Sequence, residues 1–234
     1  MGRFVKMLAA GALALAVVLV GCAGQKQDPE PATDPVAGGW EVAGEAGSSI
    51  SDDERAIFEK ATENLMGADY EPVAVIATQI VAGTNRAYLC KGTVVSPDSG
   101  IGWHVITIYE DLEGGVELLD IKELDITRPI LLEGSADAEM VGAWMAAKPG
   151  SAALPTEVDG LFAKAMEDIE GMSYKPIALL GTQLVSGTNY LVLCYGEPVV
   201  PNARGALYLV QLYADLDGGA EITSIGQLDL LSYI

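Results

Sequence analysis

Positive charge is scarce in this chain. Thirteen lysines and arginines stand against 33 aspartates and glutamates, giving a formal charge of −20 over 234 residues. Phosphate backbones are gripped by Lys and Arg, so a chain this acidic is not read as a nucleic-acid binder. The same shortage opposes charge-driven adsorption to anionic lipid. Histidine is scarcer still, with His104 the single example, and no Gly-x-Ser-x-Gly, His-Glu-x-x-His or phosphate-binding glycine loop occurs. There are three cysteines, Cys22, Cys90 and Cys194, enough for one disulfide at most. The apolar run from Met7 to Val20 is too short for a comfortable transmembrane helix. What the chain does have is apolar bulk: half its residues are hydrophobic, which argues for packed cores despite the charge.

The N-terminus is organised as an export signal. Arg3 and Lys6 precede the apolar run, which ends in Leu19-Val-Gly-Cys22 before a polar, proline-bearing stretch. Leu-x-Gly-Cys resembles the bacterial lipobox, which implies lipidation at Cys22 and anchorage through acyl chains on an extracytoplasmic membrane face. The expected order is a signal over 1–21, a flexible tether over 22–37, a first domain over 38–131, a linker over 132–141 and a second domain over 142–234.

The two domains are copies. Gln79-Ile-Val-Ala-Gly-Thr-Asn85 returns as Gln183-Leu-Val-Ser-Gly-Thr-Asn189, 104 positions later. The same offset links Trp40 with Trp144, Phe58 with Phe162, Cys90 with Cys194, and Tyr109 with Tyr213. Each copy is large enough for one modest core.

Within a copy the order reads helix, then strands. Ser51-Asp-Asp-Glu54 has the form of a capping box, and Ile57, Phe58, Ala61 and Leu65 follow at helical spacing. Leu161, Phe162, Ala165 and Ile169 repeat the pattern, and Gly67 and Gly171 suit a left-handed helix stop. Strands are expected near 73–82, 86–95, 102–110 and 116–126. The hairpin tips are expected at Gly83-Thr84-Asn85 and Glu113-Gly114-Gly115. The fold class expected is α+β: two tandem domains, each one helix across a four-stranded antiparallel sheet, with room for a fifth strand around Trp40.

A helix followed by a meander whose first hairpin reads Gln-x-Val-x-Gly resembles the cystatin and stefin family. Both Gln79–Gly83 and Gln183–Gly187 carry the motif, and the resemblance covers nearly all of each copy. It implies a reversible inhibitor of papain-like cysteine proteases, tethered at a cell surface. The family fills the substrate cleft with a wedge of a glycine trunk and two hairpins. Carried onto this chain, the trunks are Gly38-Gly39 and Gly142. The first hairpins are Gln79, Ile80, Val81, Ala82, Gly83 and Gln183, Leu184, Val185, Ser186, Gly187. The second hairpins contribute Leu112, Glu113 and Leu216, Asp217. One element departs from the family: no Pro-Trp stands in the second hairpin, and acids surround the leucines there. The first copy is expected to be the more active, since the trunk at Gly142 lies between two folded units. The alternative reading is a non-inhibitory binding or scaffold lipoprotein of the cell envelope.

Other classes fare less well. A Cys90–His104 dyad has no equivalent in the second copy, where Tyr208 replaces the histidine beside Cys194, so no enzyme is expected. Asp215-Leu-Asp217-Gly-Gly-Ala-Glu221 is faintly like a calcium loop but lacks the third acid, so neither metal nor cofactor is expected. Cys90 and Cys194 read as small hydrophobes of two separate cores, too far apart to bridge. Leu191, Leu193 and Tyr195 alternate with Tyr190, Val192 and Cys194, a strand apolar on both faces. Such a strand needs covering twice, which predicts contact between the copies or a homodimer.

Overall fold

The computed structural model describes residues 38–44, 49–94, 101–126, 143–147 and 154–234; the expected signal, tether and linker lie outside them. The first copy runs β1 (Trp40–Val42), α1 (Asp52–Thr62), β2 (Ala68–Val81), β3 (Gly83–Val94), β4 (Ile101–Glu110) and β5 (Val116–Leu124). The second repeats it as β6 (Trp144–Ala146), α2 (Thr156–Met166), β7 (Met172–Leu184), β8 (Thr188–Pro198), β9 (Ala206–Ala214) and β10 (Ala220–Gln227), closed by a 3-10 turn at Leu230–Ser232. Each copy forms one antiparallel sheet whose spatial order follows the chain, β1 to β5 and β6 to β10.

Local chemistry explains the elements. Ser51 Oγ accepts the Glu54 amide at 3.2 Å, and Glu54 accepts the Ser51 amide at 2.9 Å, so the capping box closes and α1 starts there. Asp52 and Asp53 in its first turn and Lys60 in its last suit the helix dipole. The helix stops at Thr62, and Gly67, at φ 89°, turns the chain into β2. Strand β2 begins earlier than the sequence suggests, because Pro72 is accommodated at a bulge between Pro72 and Ala74. Pro176 sits at the same bulge in β7.

The α+β expectation is corrected. The described residues are mostly β, two five-stranded antiparallel sheets with only two short α-helices among them, each of 11 residues. A helix of three turns covers one patch of a sheet whose longest strand has 14 residues. The larger apolar face is covered by the other sheet. Ile76, Leu89, Trp103 and Val105 share one core with Leu180, Leu193, Leu207 and Leu209. On the outer faces, Phe58 packs on Val75, Tyr88, Cys90 and Ile106, while Phe162 packs on Val192, Cys194, Val210 and Leu212. Truncating either phenylalanine to Ala would cost about 3–5 kcal/mol.

The sheets meet about an approximate two-fold axis. Trp103 Nε1 donates to the Leu180 carbonyl at 2.6 Å, and buried Lys91 donates to the Ala147 carbonyl. The 104-residue equivalents meet likewise: Leu207 and Ile76 share the inter-sheet core, and a Cβ on Gly44, next to Ala43, would lie 3.8 Å from the Tyr195 ring. Lys91 and Trp103 pair at the end of β3–β4 remote from the first hairpin, yet Leu180 lies near the hairpin end of β7. Conversely Trp40, paired beside the first hairpin, meets Leu207 at the far end of β9. The hairpin ends of the two sheets therefore point in opposite directions.

Candidate functional site

At the hairpin end of the first sheet three segments form one rim. Strand β1 pairs with β2 in the register Trp40 to Gln79, which lays the trunk beside the first hairpin. The Gly38 backbone amide donates to the Ile80 carbonyl at 3.0 Å, and Gln79 Nε2 donates to the Gly38 carbonyl at 2.8 Å. Asn85 Nδ2 donates to Gln79 Oε1 at 2.6 Å and fixes that side chain from the other strand. Thr84 pairs with Glu110, so the second hairpin, between β4 and β5, stands next to the first.

The second hairpin is organised by Asp111. Its Oδ1 accepts the amides of Glu113 and Gly115, each at 2.8 Å. Those bonds, Gly115 first and Glu113 next, hold the Asp111 carboxyl below the usual range. Lys60 Nζ reaches from α1 to the Gly114 carbonyl at 2.7 Å and ties the helix end to the hairpin. Leu112 is left at the tip, 85% exposed. Ile80, Val81 and Ala82 are exposed on the first hairpin, and Glu113 beside Leu112.

The second copy repeats the geometry. Asp215 Oδ1 accepts from Asp217 and Gly219 at 2.8 and 2.7 Å, and Lys164 donates to the Gly218 carbonyl at 2.8 Å. Leu184 and Leu216 are 77% and 86% exposed, and Ser186 is exposed with Val185 half-buried beside it. The leucine tips of this rim are as exposed as those of the first, while the trunk at Gly142, on which the expected difference between the copies rests, is outside the described residues. Gly142 and Cys22 lie outside the described residues; Gly39 continues the trunk from Gly38 into β1.

Several motif residues serve the fold and not an outer surface. Gln183 is 1% exposed and accepts from Asn189 Nδ2 at 2.8 Å, while Gln79 is half-buried and held between Gly38 and Asn85. Gly83 is buried, and its hairpin turns at Ala82, not across Gly83-Thr84-Asn85 as the composition suggests. A Cβ on Gly83 would sit 2.3 Å from the Glu110 carbonyl and 2.7 Å from the Tyr109 ring. Gly187 faces Ala214 and Tyr213 at the same distances. The Tyr109 hydroxyl donates to the Ala82 carbonyl at 2.6 Å, and Tyr213 to Ser186 at 3.4 Å. Sequence reasoning missed the parts played by Tyr109, Asn85 and Lys60. All three keep their identity at the 104-residue offset, and that was the signal available.

Elsewhere, Cys90 stands opposite His104 across β3 and β4, but its thiol lies in the core under α1 and burial pushes it well up. His104 packs edge-on against Tyr70, with ring centroids 5.1 Å apart. Both Cys90 and Cys194 are free and buried. Among the described residues no cluster of His, Cys, Asp and Glu could hold a metal, and no helix is long and apolar enough to cross a membrane. No protein-family model matches the chain, and no curated protein matches its sequence.

Proposed function

We propose that the chain is a lipid-tethered, reversible inhibitor of papain-like cysteine proteases, inserting a hairpin rim into the substrate cleft. One observation supports this reading above others. In each copy two adjacent hairpins present exposed apolar tips, Ile80 and Leu112 or Leu184 and Leu216, on hydrogen-bonded supports. A rim already held by the Asp111 and Lys60 bonds loses little freedom on docking. Isolated apolar tips flanked by acids suit a cleft with an apolar floor and a neutral or basic border. Cys22 carries the acyl chains in this reading, and membrane contact runs through them alone.

The test is a titration of the signal-free chain, with Cys22→Ser for solubility, against papain and related peptidases. Leu112→Asp combined with Leu216→Asp should weaken inhibition at least tenfold, about 1.4 kcal/mol, while the melting temperature holds. Wild-type protein that leaves every such enzyme uninhibited at high micromolar concentration would sink the reading.

A second reading, a non-inhibitory binding or scaffold lipoprotein of the envelope, is favoured by one set of contacts. The glutamine and glycine of Gln-x-Val-x-Gly are both engaged internally, so hairpin folding alone accounts for the motif. A partner captured through the same leucine tips, with no effect on peptidases, would establish it.

A further inference from the structure

Two long strands lie at sheet edges, β5 and β10, while the other edge strands, β1 and β6, have three residues each. Among the described residues no strand pairs with the outer side of β5 or β10. An edge of that length offers unpaired amides and carbonyls to another chain, and proteins guard such edges with charge. Strand β5 is guarded. Its Ile121 amide donates to Asp120 Oδ1 at 2.8 Å, and the Lys122 ammonium lies 3.5 Å from the other oxygen of that carboxylate. Strand β10 lacks both guards. Ser224 and Gly226 stand at the positions of Asp120 and Lys122, and Ser224 Oγ is buried with no hydrogen-bond partner. From Ile222 to Gln227 the strand carries no charge, whereas Leu118 to Glu123 in β5 holds three charged residues.

We infer that the β10 edge is where a second copy of this chain binds, strand β10 pairing antiparallel with its own image. Register carries the inference. The Leu228 amide donates to the Leu207 carbonyl at 2.8 Å, so Leu228 faces β9. The pairing with β9 is regular from Ser224 to Gln227. Alternation along an antiparallel ladder then turns the amides and carbonyls of Ile225 and Gln227 outward. A two-fold axis through Gly226 sets Ile225 of each chain opposite Gln227 of the other. Each such pair exchanges two main-chain hydrogen bonds, so the contact has two pairs' worth. Gly226 meets Gly226 at the centre, where opposed Cα atoms come within about 4.5 Å and no side chain obstructs them. The same axis on β5 would set Lys122 against Lys122, and like charges directly opposite destabilise a pair. The contact is isologous and closes at two chains. On a chain of formal charge −20 it also uses a segment with no charge of its own. It is independent of the two hairpin rims and of the function proposed for them.

The described fold lies within residues 38–234, so the signal-free Cys22→Ser chain serves for the test. Sedimentation equilibrium should show a monomer–dimer equilibrium with a dissociation constant on the order of 0.1–1 mM, the weak end suited to so small a contact. In nitrogen-15 spectra the Ile225 and Gln227 amides should shift with protein concentration, while those of Ile121 and Glu123 stay still. Gly226→Lys puts the Lys122 arrangement on β10 and should weaken dimerisation by about tenfold or more, with the melting temperature held. Gln227→Pro removes an outward amide without touching the ladder to β9, and it should weaken the dimer as well. A chain that stays monomeric at millimolar concentration would overturn the inference. So would a dimer that a folded Gly226→Lys leaves intact, or one whose Ile225 and Gln227 amides do not move. Should Gly226→Lys fail to fold, Gln227→Pro decides: a weakened dimer supports the contact, and an undiminished one overturns it. An extended peptide that pairs with β10 while the chain remains monomeric overturns it too, by giving the edge a different occupant.

Discussion

The Gln79 side-chain amide donates to the Gly38 carbonyl at 2.8 Å, which makes trunk and first hairpin one mechanical piece. Gln79→Ala would free the trunk and leave Asn85 without its acceptor, at a cost of about 1 kcal/mol. The buried Gln183 makes the second-copy variant costlier, about 1–3 kcal/mol. Urea unfolding of the two variants checks the order, and equal losses would contradict the difference in burial.

Gly83 is fitted to its neighbours by absence of a side chain. Its φ is 137°, and a Cβ would collide with Glu110 O and Tyr109. Gly83→Ala should destabilise by about 2–4 kcal/mol. Gly187→Ala meets the same contacts without the unusual φ and should cost less, about 1–3 kcal/mol. Denaturant midpoints measure both. It follows that substitutions at these glycines are poor probes of target binding, whereas Ile80, Leu112, Leu184 and Leu216 are clean ones.

Asp111 makes the second hairpin acid-sensitive. Its folded-state carboxyl is lowered by the Gly115 and Glu113 amides, so its contribution is fully present above the ordinary carboxylate value near about 4. The contribution is lost as pH falls through the lowered folded value. The Glu113 and Gly115 amide resonances should titrate together with a midpoint below that of a free aspartate. Asp111→Asn should remove the step. A midpoint at or above about 4 would show that the two bonds do not hold the carboxylate.

The thiols of Cys90 and Cys194 should be inert in the folded protein. Burial raises both, so the folded state keeps them protonated where the unfolded chain begins to ionise. Their contribution is complete below the unfolded thiol value, about 8.5, and declines as pH rises above it toward the folded values. A Cys22→Ser chain should therefore release two equivalents to a thiol reagent only in denaturant. Its urea midpoint should also fall more between pH 7 and 10 than that of a variant with alanine at both positions. Rapid labelling under native conditions would contradict the packing.

Opposed rims imply two-sided binding. If a target engages one rim, a second copy of it can engage the other without collision. Mass measurement of the saturated complex should give two targets per chain, and one after Leu216→Asp. A single target bound to the wild type at saturation would mean that the rims are not equivalent.

The sequence by itself determined the features whose causes lie within one copy. The 104-residue repeat, the capping box at Ser51 and the apolar stripe around Phe58 all depend on neighbours in the chain. Strand β8 was also legible as apolar on both faces. What covers each face was not. A period of two names the faces of a strand without naming their partners, and only the tertiary structure pairs the inner faces of the two sheets and leaves the outer ones to three-turn helices. That is why a helix-on-sheet fold was expected where two packed sheets occur. The same limit applies at the rim. Gln-x-Val-x-Gly marks a hairpin in either reading, but the anchoring of Gln79 depends on Gly38, 41 positions away. The opposed rims belong wholly to the packing, since they arise where one copy meets the other about an axis that no single copy contains.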